Sequence, residues 1–446
     1  MRKDAGTGAS TKRERVAWYL YDFGNSAYAS IILLAVFAVR FQDVIVGGAR
    51  GSWLWGLALG IAMLVVALLS PLLGALADFT ASKKRFLGFF TAMSCVFTGA
   101  LFFVGKGDIV LGMILFILAE IGYRSAQVFY DALLPEIATE KEIGRVSGLG
   151  WAIGSVGGIL IAVIVTVLLN AIGGELVTRA TFLLTAAYFA LFSLPTFLWL
   201  RERGTPQKLP KGETLLRHTL RRLGTTLRAI RHFREFAKFL LAFLVYNDGV
   251  IMTLNFAAIL GGVLYGLSPK QLPLFSVLVQ ATSVLGAYLF GRVADRTSAK
   301  RSLVVSLILM VAATAWLYFN QSLPMFFVIG ALSGFALTGV QSVSRTMIGL
   351  LAPAGRSGEF YGFFSVAGRT SSFIGPTVFG IVAAGMAQVY ERGGTDATLA
   401  SQHGHRIAVL SILAFLIVGL VLLLWVNERR GRDASRSPAA ATARTP

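Results

Sequence analysis

The sequence predicts an all-α integral membrane protein with twelve transmembrane helices arranged as two six-helix pseudo-repeats. The first observation is composition, because the 446 residues are 55% hydrophobic and 14% charged, whereas soluble globular domains carry about 25% charged residues. The second is that apolar stretches of about 20 residues, enough to cross a hydrocarbon core of about 30 Å, recur along the chain without the alternation of a β-barrel. The third is a set of motifs that occurs once in each half.

Twelve apolar stretches are interpreted as membrane spans. Each is long enough to cross the bilayer as a helix, and short polar, basic or glycine-containing loops separate them. The predicted spans are 16–40, 53–76, 86–105, 109–132, 147–171, 180–200, 237–263, 272–292, 302–320, 323–349, 358–386 and 404–426.

The basic residues indicate how these spans are oriented. Lys83, Lys84 and Arg85 follow the second span, and similar clusters precede the first span and follow the eighth and twelfth. Cytoplasmic loops carry such an excess, so both termini are predicted to be cytoplasmic and the protein to lie in the cell (cytoplasmic or inner) membrane. The formal net charge of +19 is therefore assigned to orientation and not to nucleic-acid binding, for which no stretch could form a soluble domain.

The loop 201–236 divides the chain into an N-terminal six-helix half, 1–200, and a C-terminal half, 237–432. The tail 433–446 is predicted to be disordered. Leucines at helical spacing with arginines between them predict a basic amphipathic helix in the loop, either on an anionic lipid surface or as a tether between the halves. Its apolar positions are Leu216, Leu220, Leu223, Leu227 and Ile230, and its basic positions are Arg217, Arg221, Arg222, Arg228, Arg231 and Arg234.

Motifs of the first half recur in the second. The string GALADFTASKKR follows the second span and GRVADRTSAKR follows the eighth, so Gly74 corresponds to Gly291 and Asp78 to Asp295 at one constant spacing. We expect both aspartates to bind cations or a neighbouring helix N-terminus and so to hold the inward-facing gate closed. The residues assigned to gating are Gly74, Asp78, Lys84, Arg85, Gly291, Asp295, Lys300 and Arg301.

These loops resemble the signature loop of the major facilitator superfamily. Within it, the chain resembles the vacuole-effluxer-like branch through LYDFGNSAY in the first span, YRSAQVFYDALLPEIA in the fourth, VSGLGWAIGSVGG in the fifth and YNDGV in the seventh. The resemblance covers all twelve spans. It implies a secondary transporter in which spans one and seven line a central pathway, and whose best-known relative exports amino acids from the yeast vacuole during autophagy.

Polar and charged side chains occur at mid-membrane depth, where a charge costs about 2.5–3.5 kcal/mol on insertion scales. A rise of about 1.5 Å per residue places Asp248 and Arg369 near the midplane. Two interpretations remain open, a lining of the pathway and a polar network between helices, and Glu120 with Arg124 has the spacing of an ion pair within one helix. The residues assigned to the solute and proton pathway are Tyr21, Asp22, Asn25, Glu120, Arg124, Tyr246, Asn247, Asp248 and Arg369.

The sequence therefore predicts a secondary active transporter, a permease, and not an enzyme. It would move a small polar solute, an amino acid by the resemblance, by alternating access and with proton-coupled efflux. Asp22 and Asp248 would bind a proton or the ammonium group of the solute, and Arg369 its carboxylate. Burial favours the neutral form of a carboxylate, which suits a proton carrier. The solute, a proton and the lipid bilayer are the expected partners of a monomeric chain.

Three alternatives remain open. The same fold could export a drug, a peptide or a lipid, although the mid-membrane charges favour a polar cargo. A membrane-embedded transferase would gather histidines and carboxylates at one membrane surface, whereas the four histidines lie in scattered loops. A receptor that transports nothing would not need several buried charges. His403 and His405 lack a third ligand, so no metal or cofactor is expected.

The orientation can be tested with reporters. A fusion after Arg432 and an insertion within 205–212 are expected to report the cytoplasm, and an insertion near Thr395 the opposite side, because clusters of basic residues surround only the first two positions. Paired alkaline phosphatase and green fluorescent protein reporters measure this. An external signal from the 205–212 insertion would contradict the twelve-span topology.

Overall fold

The computed structural model describes residues 10–207, 209, 214, 217–221, 224, 233–267 and 272–436. Twelve helices in this part of the chain are long and apolar enough to cross a membrane, which confirms the predicted fold class and number of spans. We number them in chain order. Their bounds are α1 Lys12–Val46, α2 Gly48–Thr80, α3 Lys83–Ala100, α4 Ile109–Ala132, α5 Ile143–Ala171, α6 Glu175–Trp199, α7 Arg234–Tyr265, α8 Leu272–Arg296, α9 Ala299–Phe319, α10 Leu323–Leu351, α11 Ser357–Arg392 and α12 Ala397–Leu424.

Helix α1 changes its geometry along its length. Its first part, Lys12–Ala27, is α-helical and starts at a capping box, in which Thr11 and Glu14 each bond the other's backbone N–H. The segments Tyr28–Ala35 and Phe41–Val46 are π-helical. Such turns are rare and often occur at functional sites, and the first of them begins directly after the predicted polar cluster of α1.

The first compact unit comprises Met1–Leu227 and Ala354–Ser365, so it includes the first turns of α11. Within it, α1 packs on α5 and α6, α3 packs on α4 and α6, and α2 packs on α4.

Glycines of α5 allow the close approach of α1. A Cβ at Gly150 would lie 2.4 Å from the Trp18 ring, and a Cβ at Gly154 would lie 2.9 Å from the carboxyl carbon of Asp22. Gly158 continues this row at the same spacing. Close backbone approach through small residues is typical of helix contacts in membranes, so the glycine row fixes the position of the polar face of α1.

The second compact unit comprises Arg228–Pro353 and Val366–Pro446. Its helix pairs α7–α12, α8–α10, α9–α10 and α9–α12 are the counterparts of α1–α6, α2–α4, α3–α4 and α3–α6 in the first unit. A Cβ at Gly375 of α11 would lie 2.9 Å from Oδ1 of Asp248 in α7, which repeats the contact between α5 and Asp22. The two halves therefore fold in the same way, as the repeated motifs predicted.

Two predicted segments are described only in part. Residues 217–221 of the loop 201–236 are helical, and most of the predicted basic amphipathic helix lies outside the described residues. A thirteenth helix, α13, spans Glu428–Arg436, so residues 433–436 are helical although the sequence placed them in a disordered tail. Residues 437–446 lie outside the described part of the chain.

The glycine contact of α5 gives a stability prediction. A Cβ at Gly157 would lie 2.2 Å from the carbonyl oxygen of Phe23, whereas no described atom lies within 4 Å of a Cβ at Gly60 of α2. Gly157→Ala is therefore expected to lower the melting temperature in detergent, since overpacking costs about 1–3 kcal/mol, while Gly60→Ala leaves it unchanged or raises it. Equal melting temperatures for the two variants would contradict the tight contact of α1 with α5.

Candidate solute-pathway and gating residues

Asp22 and Asn25 lie on the part of α1 that packs against α5. Asp22 is half-buried and borders Gly154, and the Ser26 hydroxyl donates to the Asp22 carbonyl oxygen at 2.8 Å. Asn25 is buried, and its Nδ2 has no hydrogen-bond partner among the described residues. An unsatisfied buried donor costs about 1–3 kcal/mol, so this face of α1 is suited to hold water or a polar solute.

Tyr21 is fully buried inside the first unit. Its hydroxyl lies 2.8 Å from Oγ1 of Thr91 in α3. Its ring stacks on Tyr130 of α4 with 5.0 Å between centroids, and Tyr130 in turn stacks on Trp18 at 4.3 Å. These contacts hold α1 against α3 and α4, while direct contact of Tyr21 with a solute stays a prediction.

Glu120 and Arg124 form the ion pair within α4 that their spacing suggested. The Arg124 Nε donates to Oε1 of Glu120 at 2.7 Å. Glu120 is fully buried, whereas 26% of the Arg124 side chain is exposed. The Arg124 guanidinium also lies 5.2 Å from the centroid of the Tyr123 ring, within the range of a cation–π interaction.

Asp248 of α7 is fully buried and is bound by a backbone amide of α11. The Gly375 N–H donates to Oδ1 of Asp248 at 2.6 Å. Oδ2 has no hydrogen-bond partner in the described part of the chain. The next residue of α11, Pro376, has no N–H, so Gly375 provides an amide where the helix is already interrupted. A buried carboxylate with one oxygen unsatisfied favours its neutral form.

The residues beside Asp248 bind side chains of α10. The Gln341 Nε2 donates to Oδ1 of Asn247 at 3.0 Å. The hydroxyl groups of Tyr246 and Ser344 lie 2.7 Å apart, and Tyr246 is fully buried. Tyr246 therefore contacts α10, the counterpart of α4, on which the ring of Tyr21 stacks in the first unit.

Arg369 lies on α11 and is half-buried. It precedes Gly375 by fewer than two helical turns, so one stretch of α11 carries both the cation and the amide that binds Asp248. That Arg369 and Asp248 lie at a similar depth in the membrane stays a prediction.

Asp78, near the end of α2, binds a helix N-terminus and a cation at once. Its two carboxylate oxygens accept the N–H groups of Gly358, at 3.0 Å, and Glu359, at 2.8 Å, in the first turn of α11. The Lys83 Nζ lies 3.0 Å from the same carboxylate and 2.6 Å from Glu136. Both kinds of partner expected for Asp78 are therefore present.

The cation bound to Asp78 is Lys83, which the predicted gating set did not include. Lys84 instead donates through Nζ to the Leu200 carbonyl oxygen at 2.7 Å, and Arg85 is exposed. Lys83 is the first residue of α3. Successive residues of an α-helix point about 100° apart, so only one of three consecutive cations can face α2.

Gly74 lies where α2 meets the start of α11. A Cβ at Gly74 would lie 2.1 Å from the carbonyl oxygen of Gly358, so a residue with a side chain does not fit. This close approach brings Asp78, one turn further along α2, to the amides of α11. The close contact of α2 with α11 therefore explains both why residue 74 is a glycine and where Asp78 lies.

The second gating loop has a partly different arrangement. The Lys300 Nζ donates to the Leu424 carbonyl oxygen at 2.8 Å, which matches the contact of Lys84 in the first half. The backbone N–H of Arg301 donates to Oγ of Ser298, which caps α9. The remaining predicted residues are Gly291, which is buried, and Asp295, which is half-buried.

Two glutamates that the sequence analysis did not select bind the N-termini of α3 and α9. Glu202 accepts the backbone N–H groups of Lys83 at 2.7 Å and Lys84 at 3.1 Å. Glu428 accepts the N–H of Lys300 at 2.9 Å. Burial raises the pKa of the Glu202 carboxyl, although these two backbone bonds and the nearby Lys83 oppose the rise.

A repeated string could have identified these two glutamates. LWLRERG ends the sixth span and LWVNERRG ends the twelfth, with Glu202 and Glu428 at the same place in each. Glu136 lies within the string YRSAQVFYDALLPEIA, where only its pairing with Lys83 shows a role in the loop.

Comparison with known proteins identifies the class of this fold. A bacterial homologue of the iron transporter ferroportin superposes with a TM-score of 0.68 at 14% identity, over 92% of this chain and 98% of that one, which shows the fold alone. The uncharacterized MFS-type transporter YxiO of Bacillus subtilis (strain 168) is 28% identical over 96% of this chain and 97% of its own length. The fold and this relative define a transporter of the major facilitator type and not an enzyme.

A match to a protein family shows where this chain belongs. The sequence matches the family described as "Vacuole effluxer Atg22 like" over residues 55–436, most of the chain, and the protein belongs to this family. Autophagy-related protein 22 of Yarrowia lipolytica (strain CLIB 122 / E 150) is 28% identical over 65% of this chain. The chain spans about half the length of that relative, 51%. The resemblance found in the sequence is confirmed.

The glutamate caps give a local prediction. Glu202→Ala is expected to speed amide hydrogen exchange at the start of α3, at Lys83 and Lys84, and to cost about 1 kcal/mol, as loss of a helix cap does. Glu428→Ala is the matched control and should affect the start of α9 at Lys300 instead. Hydrogen exchange measured by mass spectrometry distinguishes the two regions. Unchanged exchange at α3 in Glu202→Ala would contradict the capping role.

Proposed function

We propose that this transporter moves a small polar solute, an amino acid in the simplest case, by alternating access between its two six-helix halves, with proton-coupled efflux. The single observation that supports proton coupling most directly is the environment of Asp248. It is a fully buried acid in a membrane-spanning helix, with one oxygen bound by a backbone amide and the other without a partner among the described residues.

Asp248 is suited to carry a proton because its environment has one feature that stabilises the ionised form and one that stabilises the neutral form. The ionised form keeps the bond from the Gly375 N–H. The neutral form avoids the cost of a buried charge, which reaches several kcal/mol without a partner. When the free energy of the hydrogen bond and the cost of the buried charge are similar, the carboxyl group can gain and lose a proton as its access to solvent changes.

Charges on both units support a polar, zwitterionic solute. In this proposal Arg369 binds the carboxylate of the solute, and Asp22 binds its ammonium group. Asn25 adds a buried donor with no hydrogen-bond partner in the described chain. Tyr21 and Tyr246 position these helices through their bonds to Thr91 and Ser344.

The same arrangement favours a polar cargo over a lipid or an apolar drug. Carboxylates and an arginine at mid-membrane depth are costly unless they bind solute, ions or one another. An apolar cargo offers no polar group to these side chains. The family description, vacuole effluxer, supports export. We assign the protein to the cell membrane because the relative that it matches over nearly its full length is bacterial.

In this proposal Asp78 and Lys83 form the inward gate. Asp78 binds the first turn of α11 through two amides, and Lys83 balances its charge. The gate opens when these hydrogen bonds break. Asp295 has the corresponding role in the second half by the repeat of its loop.

The variant Asp248→Asn tests proton coupling. Asparagine resembles the protonated acid in shape and charge, so proteoliposomes containing the variant should still exchange labelled leucine but should accumulate it less than the wild-type protein in response to a pH gradient. Asp43→Asn, at an exposed position near the end of α1, is the matched control and should retain accumulation. Accumulation by Asp248→Asn at the wild-type level would contradict the role of Asp248 as proton carrier.

The variant Asp78→Asn tests the gate. An amide in place of the carboxylate offers one acceptor oxygen instead of two and no longer binds Lys83 as an ion pair. We expect at least about a tenfold lower turnover at normal abundance, since charge-assisted bonds contribute about 1.5–3 kcal/mol each. Asp295→Asn should lower turnover in the same way. Transport at the wild-type rate in both variants, at equal expression, would exclude a gating role.

A further inference from the structure

The two residues of the ion pair in α4 differ in how exposed they are. Glu120 is fully buried, whereas 26% of the Arg124 side chain is exposed. The Arg124 Nε donates to Oε1 of Glu120 at 2.7 Å, and Oε2 has no hydrogen-bond partner among the residues that the structure describes. The cation of this pair is therefore partly exposed, whereas the acid is fully buried.

Few other ionisable groups face Glu120. Helix α4 packs against α2 and α3, and the spans 53–76 and 86–105 contain none except Cys95. From α1, the Tyr28 phenol interacts with Glu120, and Asp22 is within electrostatic range of Tyr123. Arg124 is the cation that compensates the charge of Glu120.

The Tyr28 hydroxyl is placed to bind a neutral Glu120. It is fully buried and has no hydrogen-bond partner by geometry in the described chain, although it interacts electrostatically with Glu120. A phenol can donate to a carboxylate or accept from a carboxylic acid. The unsatisfied Oε2 of Glu120 and this hydroxyl can therefore form a bond once the acid carries a proton.

We infer that Arg124 binds a carboxylate of the transported solute and that Glu120 takes up one proton as it loses the charge of Arg124. This rests on the proposed function and deepens it by assigning the solute carboxylate to Arg124 in place of Arg369 and by naming a second proton-binding acid, Glu120. Arginine binds carboxylates through two parallel N–H groups, so a solute carboxylate can compete with the bond from the Arg124 Nε to Glu120.

The charges of the site require the proton. Before binding, Glu120 and Arg124 together carry no net charge. A bound solute carboxylate adds one negative charge, and a proton from solvent that joins the Glu120 carboxylate restores neutrality. The O–H bond of Glu120 is the one covalent bond that forms, and no covalent bond of the protein or the solute breaks. A net charge in a buried site costs several kcal/mol, so one proton enters with each carboxylate.

Infrared difference spectroscopy of the full chain in nanodiscs tests this step, because a protonated carboxyl has its own C=O stretching band. Three probes of similar shape are used, namely L-leucine, 4-methylpentanoate and 3-methylbutylamine. The two carboxylates should produce the band in the wild-type protein, and the amine should not. The band should be present in Asp248→Asn, which lacks the Asp248 carboxyl, and absent in the double variant Glu120→Gln/Asp248→Asn. A band that survives in the double variant, or none with either carboxylate, would overturn the inference.

A second arm needs no ligand. Arg124→Gln removes the cation, so the Glu120 band should appear without any probe and vanish in the double variant Glu120→Gln/Arg124→Gln, which serves as a neutral control for folding. Absence of the band in folded Arg124→Gln would overturn the inference. If Arg124→Gln does not fold, Glu120→Gln decides, since it should bind 4-methylpentanoate without the proton uptake that a pH indicator detects in the wild-type protein.

Failure of the inference differs from failure of the proposed function. If leucine is transported in a pH-dependent way and its binding is lost in Arg369→Gln but unchanged in Arg124→Gln, the inference is wrong and the proposed function stands. Arg124→Gln should otherwise weaken binding of both carboxylates at least about tenfold, as loss of a charge-assisted bond does. If no probe is transported while Arg124→Gln shows the Glu120 band, the proposed function is wrong and the proton-binding role of Glu120 is supported.

Discussion

Burial of carboxylates in apolar helices is the constraint on which the rest of this structure depends. A carboxylate buried between apolar helices needs hydrogen-bond donors that do not themselves add a charge. Here the donors are backbone amides at glycines of α11, with Gly375 bound to Asp248 and Gly358 bound to Asp78. Asp22 borders a glycine of α5 in the corresponding way. Glycine meets two requirements at these positions, because it exposes its amide to the carboxylate and allows close approach of the partner helix.

These donors oppose the effect of burial on a carboxylate. An amide favours the ionised form, and burial favours the neutral form. The balance between the ionised and neutral forms can shift when a neighbouring helix moves or when the cation binds another group. Glu120 differs from the aspartates because its donor is the arginine of its own helix, so its balance responds to whatever else binds Arg124. A chain with several such acids can link the position of its helices to the binding of protons and solute.

The sequence was sufficient for the parts of this account that depend on composition and repetition. Span length and the loop motif around Asp78 predicted the helices and the two kinds of partner that bind this acid. The sequence could not show that Lys83, and not Lys84, faces Asp78, because adjacent cations are equivalent until the start of α3 is known. It also could not show the bond from Gly375 to Asp248, which joins helices distant in the chain.

The central claim is that solute and proton move along one pathway. It is tested most directly with wild-type protein in liposomes that contain a pH-sensitive dye and start with equal pH on both sides. A leucine gradient alone should then move protons in the direction of leucine flux, and an uncoupler should abolish the pH change without stopping the flux. Leucine flux with no accompanying proton movement would contradict the account.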